Sequence, residues 1–167
     1  FRRAGLLRVL DLDELFAAAE TLGHLTGISG SRLAILTNGG GIGVLAVDRL
    51  VDLGGQLAGI SLKAMTKLDA ALPPIWSRAN PVDIAGDADG ARYGTAMSEL
   101  LDDTENDAIL AMNVPTALAS PADAARAVIA AVEEHGKRMT RRKPVFAVWL
   151  GGERGASQLF EGARIPS

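Results

Sequence analysis

The chain has 167 residues, a net charge of −3, 22% charged and 4% aromatic residues, 19 glycines and no cysteine. This is the length of one ordinary domain, and folding should bury roughly 70% of the unfolded chain's surface. The composition excludes collagen-like, disordered and disulfide-scaffold proteins, and without cysteine no disulfide or thiolate zinc site can form. The acidic balance argues against nucleic acid as the main partner.

Membrane and export signals are also missing from the sequence. No apolar run approaches the ~18 residues that a membrane span needs, and no basic and then apolar signal peptide follows Phe1. We therefore expect a soluble, cytoplasmic protein without a membrane partner. Because the chain begins with Phe rather than Met, we expect it to be a fragment of a larger multidomain protein.

The first 30 residues predict a helix followed by a linker. Asp11 and Glu14 resemble a capping box in which Asp replaces Ser or Thr, and apolar residues follow at helical spacing. Residues 27–31 are typical of a linker. We assign residues 1–30 to this preceding helix and linker, and residues 31–167 to one α/β domain.

The α/β domain alternates short apolar strands with helices. Five strands are expected, at residues 33–37, 57–61, 82–84, 108–112 and 145–150. Helices are expected around residues 44–51 (stopping at residues 54–55), and at 63–72, 90–101, 120–136 and 153–161. This alternation predicts βαβ units with right-handed crossovers. We therefore expect a five-stranded parallel sheet with helices on both faces, flavodoxin-like in strand order.

The turn after the first strand carries the strongest functional signal. A Thr-Asn-Gly-Gly-Gly-Ile-Gly run at residues 37–43 leads from a strand into a helix. Such a turn leaves backbone N–H groups unpaired at a helix N-terminus, and its glycines let an anion approach closely. The other interpretation is structural, since a tight strand–helix turn needs glycine in any case. The pattern predicts an anion site.

Two nucleotide motifs fit this turn poorly. The spacing of Gly41, Gly43 and Ala46 formally matches the dinucleotide fingerprint, which also requires an acidic residue at the end of the second strand. Residues 57–61 supply none, and no Gly-Lys-Ser or Gly-Lys-Thr follows the glycines. The sequence therefore disfavours a nicotinamide or flavin dinucleotide, and also a Walker-type nucleotide site.

Other charged groups are interpreted as structural. The acidic stretch 83–89 fails as a calcium loop, because its first and last ligand positions would be alanines. Asp87 or Asp89 is expected instead to cap the next helix. His24 and His135 lie near helix C-termini, which favour imidazolium. The basic residues at 137–143 are expected to form a solvated turn, with docking of an acidic partner as the alternative. No catalytic dyad or metal-ligand spacing is visible.

Several segments resemble the ADP-forming acyl-CoA synthetases, relatives of succinyl-CoA synthetase. They follow one another along essentially the whole chain, at residues 1–15, 33–48, 72–74, 80–87, 107–110 and 143–149. That family combines two flavodoxin-like ligase domains with a CoA-binding domain and an ATP-grasp domain, and this chain is similar to the second ligase domain. The resemblance implies these neighbouring domains as partners. It also implies CoA, ATP or ADP and Mg in the full enzyme, with none bound by this domain alone.

The resemblance implies a phosphohistidine mechanism. An acyl-CoA and phosphate give an acyl phosphate, the phosphoryl group moves to a histidine, and ADP then accepts it. The phosphohistidine lies between the N-termini of two helices, one from each ligase domain. Here the phosphate-binding residues are expected to be Asn38, Gly39, Gly40 and Gly41.

The phosphorylated histidine itself is not expected in this chain. In the family it lies in a Ser-His-Thr-Gly type motif, which the resemblance places upstream of Phe1. Neither His24 nor His135 stands in such a motif. We therefore expect no catalytic residue here and no synthetase activity from the isolated domain.

Two other functions are compatible with the sequence. The chain could be the regulatory, synthetase-like region of a GNAT-fused protein lysine acetyltransferase. It could also be a non-catalytic binding or assembly module whose glycine turn is structural. The sequence leaves both alternatives open.

Overall fold

The computed structural model describes residues 7–24, 30–140, 142–151 and 154–167. Helices and strands alternate after the first helix, as predicted. In chain order they are α1 (Leu12–His24), β1 (Arg32–Thr37), α2 (Gly40–Asp52), β2 (Gln56–Leu57), α3 (Leu62–Ala71), β3 (Val82–Asp83), α4 (Gly90–Asp102), β4 (Ala108–Asn113), α5 (Pro121–Arg138), β5 (Val145–Trp149) and α6 (Arg154–Gly162). None of the helices in these ranges is long and apolar enough to cross a lipid bilayer.

The five strands form one parallel sheet, which confirms the predicted fold class. β4 pairs with β1 from Leu33 to Thr37 and therefore occupies one whole edge of β1. β2 pairs with the first two residues of β1 and β3 with the last two. β2 and β3 thus follow one another along the other edge, and β5 lies outside β4.

The strand order differs from the predicted flavodoxin-like order, in which β3 lies between β1 and β4. Here β4 is the direct neighbour of β1. The physical reason is strand length, because β2 and β3 have two residues each and fit end to end along the six-residue β1. The predicted strand at 57–61 ends at Leu57, and Ser61 instead caps α3 by accepting from the Ala64 N–H.

Helices cover the two faces of the sheet unequally. Ala34 and Leu36 point into the main core, which is built with residues of α3, α4, α5 and α6. The alternate residues Ile35 and Thr37 are also fully buried but lie on the opposite face, which α2 crosses. The main core is filled by large side chains that are completely buried, among them Leu36, Leu68, Val82, Ile84, Tyr93, Met97, Leu100, Ile109 and Phe160.

The apolar face of α2 is not part of this core. Val44, Leu45 and Val51 are 57%, 68% and 61% exposed, although their spacing predicts a helix face that packs. Only Gly43 is buried among the residues of α2. α2 therefore buries only Gly43 completely and leaves Val44, Leu45 and Val51 on the surface.

Most caps lie where the sequence places them. Glu14 N–H donates to the Asp11 carboxylate, Ser120 caps α5 with Pro121 in its first turn, and Asp89 caps α4. α5 was expected to end at Gly136 but continues to Arg138. Residues 27–29 of the expected linker and Glu153 at the start of the last predicted helix lie outside the described residues.

Candidate functional site

The turn between β1 and α2 lies at the carboxyl edge of the sheet. Within this turn, the Gly39 N–H donates to the Thr37 hydroxyl, and the same hydroxyl donates to the Gly39 carbonyl oxygen. Gly39 is the N-cap of α2 and has an extended backbone, with φ −142° and ψ 108°. Glycine supplies no side-chain acceptor, so no side chain caps this helix.

The first turn of α2 therefore presents backbone donors that the helix cannot use. The N–H groups of the first three helical residues, Gly40, Gly41 and Ile42, have no intrahelical acceptor, and the first intrahelical bond runs from Gly43 N–H to the Gly39 carbonyl. No acidic residue stands in this first turn. These donors lie at the positive end of a 13-residue helix, an arrangement that binds anions.

Asn38 holds the turn against the neighbouring loop. Its side-chain amide donates to the Val114 carbonyl over 2.9 Å, and its side-chain oxygen accepts from the Val114 N–H over 2.8 Å. The residue is 4% exposed. Both polar groups of the side chain are thus occupied, so Asn38 fixes the position of the glycine turn relative to the end of β4.

The end of β4 is anchored from the main core. The Tyr93 hydroxyl donates to the Met112 carbonyl and accepts from the Asn113 side-chain amide. Burial raises the pKa of this hydroxyl, so it stays a neutral donor. Val114, the partner of Asn38, directly follows β4, and buried hydrogen bonds fix the end of that strand.

Asp83 lies beside the start of α2. Because β3 pairs with β1, Asp83 is the register partner of Thr37. Gly40 faces this carboxylate, since a methyl group on its Cα would lie 3.0 Å from Asp83 Oδ2. Any side chain at position 40 would thus press on a carboxylate.

The loop after β3 is held by charge pairs of its own. Asp87 accepts from Arg92 over 2.5 Å, and this hydrogen bond lowers the pKa of the Asp87 carboxyl. Arg92 also donates to the Ile84 carbonyl. Asp89 accepts from the Arg92 N–H as the cap of α4, which agrees with the capping role expected for Asp87 or Asp89.

His135 takes no part in this site. His135 is 4% exposed, its Nε2 lies 3.8 Å from Asp102 Oδ1, and burial lowers its pKa. It lines a pocket of about 490 Å³ with Asp107 and Lys143, residues that precede β4 and β5 and so lie at the amino edge of the sheet. The side chain of His24 lies outside the described residues. No three His, Cys, Asp or Glu side chains in the described ranges form a metal site.

The basic segment is less solvated than expected. Lys143 Nζ donates to the carbonyls of Leu100 and Asp103 at the C-terminal end of α4, and burial lowers its pKa. Lys137 pairs with Glu134, and Arg138 lies 3.6 Å from Asp102. Arg141 lies outside the described residues. Lys143 is thus a helix cap, while its neighbours at 137 and 138 carry surface pairs.

Sequence reasoning found the turn but missed two of its neighbours. The pairing of Asn38 with Val114 joins residues 76 positions apart, and no local pattern reports it. The closeness of Asp83 to Gly40 depends on β3 pairing with the last residues of β1, which no local pattern reports either. A carboxylate at the end of a very short strand is the signal that could have found it.

The chain matches the Ligase-CoA domain family over residues 33–164. It is 35% identical over 152 residues to the alpha subunit of acetate–CoA ligase [ADP-forming] I from Pyrococcus furiosus, a match that covers 91% of this chain and 32% of that protein. It is 33% identical over 171 residues to the alpha subunit of the second such ligase from the same organism, covering 100% of this chain and 36% of that protein.

A solved structure shows the same fold. The dinucleotide-forming acetyl-coenzyme A synthetase 1 of Ca. Korarchaeum cryptofilum, in complex with phosphate and ADP, superposes with a TM-score of 0.91 at 29% identity, covering 99% of this chain and 35% of that one. The chain thus spans about a third of the length of each of these relatives. It belongs to the ADP-forming acetyl-CoA synthetase family, as a Ligase-CoA domain.

Proposed function

We propose that this chain works as the second ligase domain of an ADP-forming acyl-CoA synthetase. The overall reaction would convert acyl-CoA, ADP and phosphate into acid, CoA and ATP through a phosphohistidine. The observation that carries the proposal is the uncapped first turn of α2, in which the N–H groups of Gly40, Gly41 and Ile42 point out of the helix end without intrahelical acceptors. The histidine would come from a neighbouring domain.

The geometry narrows the predicted set of phosphate-binding residues. Asn38 and Gly39 use their side-chain and backbone donors within the chain, on Val114 and Thr37. We propose that they shape the turn, while the backbone amides of Gly40 and Gly41, joined by that of Ile42, contact the phosphate. A doubly charged phosphate suits such donors, because amides fixed by the fold need no reorganisation when the charge arrives.

The neighbouring domains are also part of the proposal. Val44 and Leu45 are exposed apolar residues one turn beyond these amides. Such a surface beside the phosphate site suits burial against a second ligase domain that brings the histidine. A CoA-binding domain and an ATP-grasp domain would supply the remaining substrates, with Mg²⁺ on the nucleotide.

The relatives favour this function over the two alternatives. The proteins described above are named as ligases or synthetases, and one is a complex with phosphate and ADP. A regulatory region of a lysine acetyltransferase would not need the uncapped amides, and neither would an assembly module. The cytoplasmic location expected from the composition remains part of the proposal.

The test is a phosphorylation experiment on the complete polypeptide that contains this chain. The protein is incubated with γ-labelled ATP and Mg²⁺ and quenched in alkali, and protein-bound phosphate is then measured for acid lability. We expect an acid-labile, alkali-stable phosphate that disappears when ADP is added. A protein that binds nucleotide and CoA but never carries such a phosphate would contradict the proposal. The 167-residue chain alone is the control and should remain unlabelled.

A further inference from the structure

Asp83 is held rigidly by the loop that follows β3. Its backbone N–H donates to the Ser77 hydroxyl, and its carbonyl accepts from the Ser77 N–H. Its side-chain Oδ1 accepts from the Ala85 N–H over 3.0 Å. The second oxygen, Oδ2, is the atom directed toward Gly40. The carboxylate is therefore a fixed feature of the carboxyl edge.

Asp83 has no salt-bridge partner among the residues that the structure describes. In the described ranges no Lys, Arg or His nitrogen forms an ion pair with Asp83, while the nearby Arg92 is engaged by Asp87. Asp83 also makes no capping hydrogen bond to α2. An unpaired negative charge thus lies next to the amides on which the proposed function places a phosphate.

We propose that Asp83 is a positioning residue that limits how tightly the start of α2 holds an anion. The inference rests on the proposed function and concerns the same site. Like charges at close range repel, so the carboxylate opposes part of the attraction that the amides and the helix dipole exert on a phosphate. Its Oδ1 is held by the Ala85 N–H, so Asp83 would act on the phosphate through its charge.

A lower affinity for the phosphate is useful at a site from which a phosphoryl group must be transferred. Binding a group equally well before and during its transfer does not accelerate the transfer, and a very stable bound state raises the barrier to leaving. A fixed carboxylate reduces the stability of the bound dianion without removing any donor. The site then accepts a phosphate and releases it again.

The test compares the 167-residue chain with its Asp83→Asn variant in a titration with inorganic phosphate. The ionic strength is kept constant with chloride, and the backbone amides of Gly40, Gly41 and Ile42 are followed by NMR. The Asn side-chain oxygen can still accept from the Ala85 N–H, so the loop keeps its hydrogen bond. We expect the variant to bind phosphate about fivefold to tenfold more tightly, the effect of removing one nearby like charge.

The matched control is Asp48→Asn, which makes the same charge change within α2 but farther from the N-terminus of this helix. Position 48 is eight residues beyond Gly40 and therefore about 12 Å along the helix, and its side chain is exposed. We expect less than about a twofold change in phosphate affinity there. Asp83→Ser is the second variant, since its hydroxyl can also accept from the Ala85 N–H if the amide variant fails to fold.

The outcomes separate this inference from the proposed function. Tighter phosphate binding by the Asp83 variants, including binding that only they show, supports the inference. If the wild type binds phosphate and the Asp83 variants bind it no better, the inference is wrong while the phosphate site stands. If no variant binds phosphate, both fail. In the complete synthetase, Asp83→Asn should lower the KM for phosphate by a similar factor, which a merely structural role would not do.

Discussion

The two edges of the sheet use their polar groups in opposite ways. At the amino edge, Asp107 accepts from the backbone N–H of Ser31 and Arg32 and from the Arg32 guanidinium. Lys143 likewise donates to two carbonyls at the end of α4. At the carboxyl edge, the first turn of α2 keeps amides that the helix does not use. At the amino edge these polar groups are paired within the fold, whereas the first turn of α2 at the carboxyl edge presents donors without an intrahelical acceptor.

This contrast shows where stability and function separate in one small domain. The glycine turn is positioned by buried contacts of its neighbours, mainly the pair of hydrogen bonds between Asn38 and Val114. The turn itself contributes few contacts, because its amides face outward. Changes in the first turn of α2 should therefore alter binding and transfer, while changes to the buried contacts that hold this turn, or to the polar contacts of the amino edge, should alter unfolding. The predictions below test this division, from the largest expected effect to the smallest.

Gly40→Val is expected to have the largest effect. A Cβ at this position would lie 3.0 Å from Asp83 Oδ2, so a branched side chain would have to displace this carboxylate or the start of α2. We expect the rate of protein phosphorylation in the complete synthetase to fall at least about a hundredfold, the loss typical of removing one donor to a developing anion. The measurement is the labelled-phosphate experiment described above, carried out at matched protein concentrations.

Gly59→Val is the control for the added bulk, because a Cβ at Gly59 meets no atom within 4 Å. Its phosphorylation rate should equal that of the wild type. If the Gly40 variant keeps its phosphorylation rate, Gly40 does not contact the phosphate. The binding role expected for the carboxyl edge would then be wrong.

Asn38→Ala should destabilise the fold by removing the contact between the turn and Val114. Two buried hydrogen bonds are lost, so we expect about 2 kcal/mol less free energy of unfolding in urea. Asn106→Ala at the amino edge is the matched comparison. Asn106 is equally buried, but only its amide has a partner, the Leu100 carbonyl, while its side-chain oxygen has none in the described residues.

The Asn106 variant is expected to lose only about 1 kcal/mol. The Asn38 variant should in addition shift the NMR signals of the amides in the glycine turn, and the Asn106 variant should leave them unchanged. Equal destabilisation by both variants would show that the link between Asn38 and Val114 contributes no more than a single hydrogen bond.

Asp107→Asn tests the amino edge through pH. Hydrogen bonds from Arg32 hold the pKa of the Asp107 carboxyl well below its usual 3.8. A carboxylate with a lowered pKa stabilises the fold above its unfolded pKa and loses that contribution as the pH falls. We expect the wild type to be more resistant to urea than the variant at pH 7. The difference should shrink progressively below about pH 4.

Glu105→Gln serves as the control for surface charge and should show the smallest effect. Glu105 is half exposed and lies 3.4 Å from Arg32, without backbone hydrogen bonds from Ser31 or Arg32. Pairs of this kind contribute little. A difference between wild type and Asp107→Asn that stays constant from pH 7 to pH 3 would show that the carboxylate charge is not what stabilises this edge.

The sequence was sufficient to place the helices of the α/β domain. The periodicity of apolar residues and the Asp89 and Ser120 caps placed α4 and α5, and the glycine run placed the start of α2. Strand order could not be predicted from local pattern. β2 and β3 have two residues each and give almost no periodic signal, and their pairing depends on where the chain returns to the sheet. For the same reason the neighbours of Gly40 could be named only from the structure.

The donors at the start of α2 are backbone amides, so side-chain substitutions do not remove them. A backbone N–H belongs to every residue except proline, so its donor is unaffected by the side chain that evolution or mutagenesis places there. Position 40 is constrained because it lacks room beside Asp83, whereas a Cβ at position 41 meets no atom within 4 Å. An alanine scan would therefore detect the steric clash at position 40 but would remove none of the N–H donors. Alanine at position 42 would also keep its N–H, so the scan would not reveal that donor. Replacing single amides with esters is the substitution that reaches these donors directly.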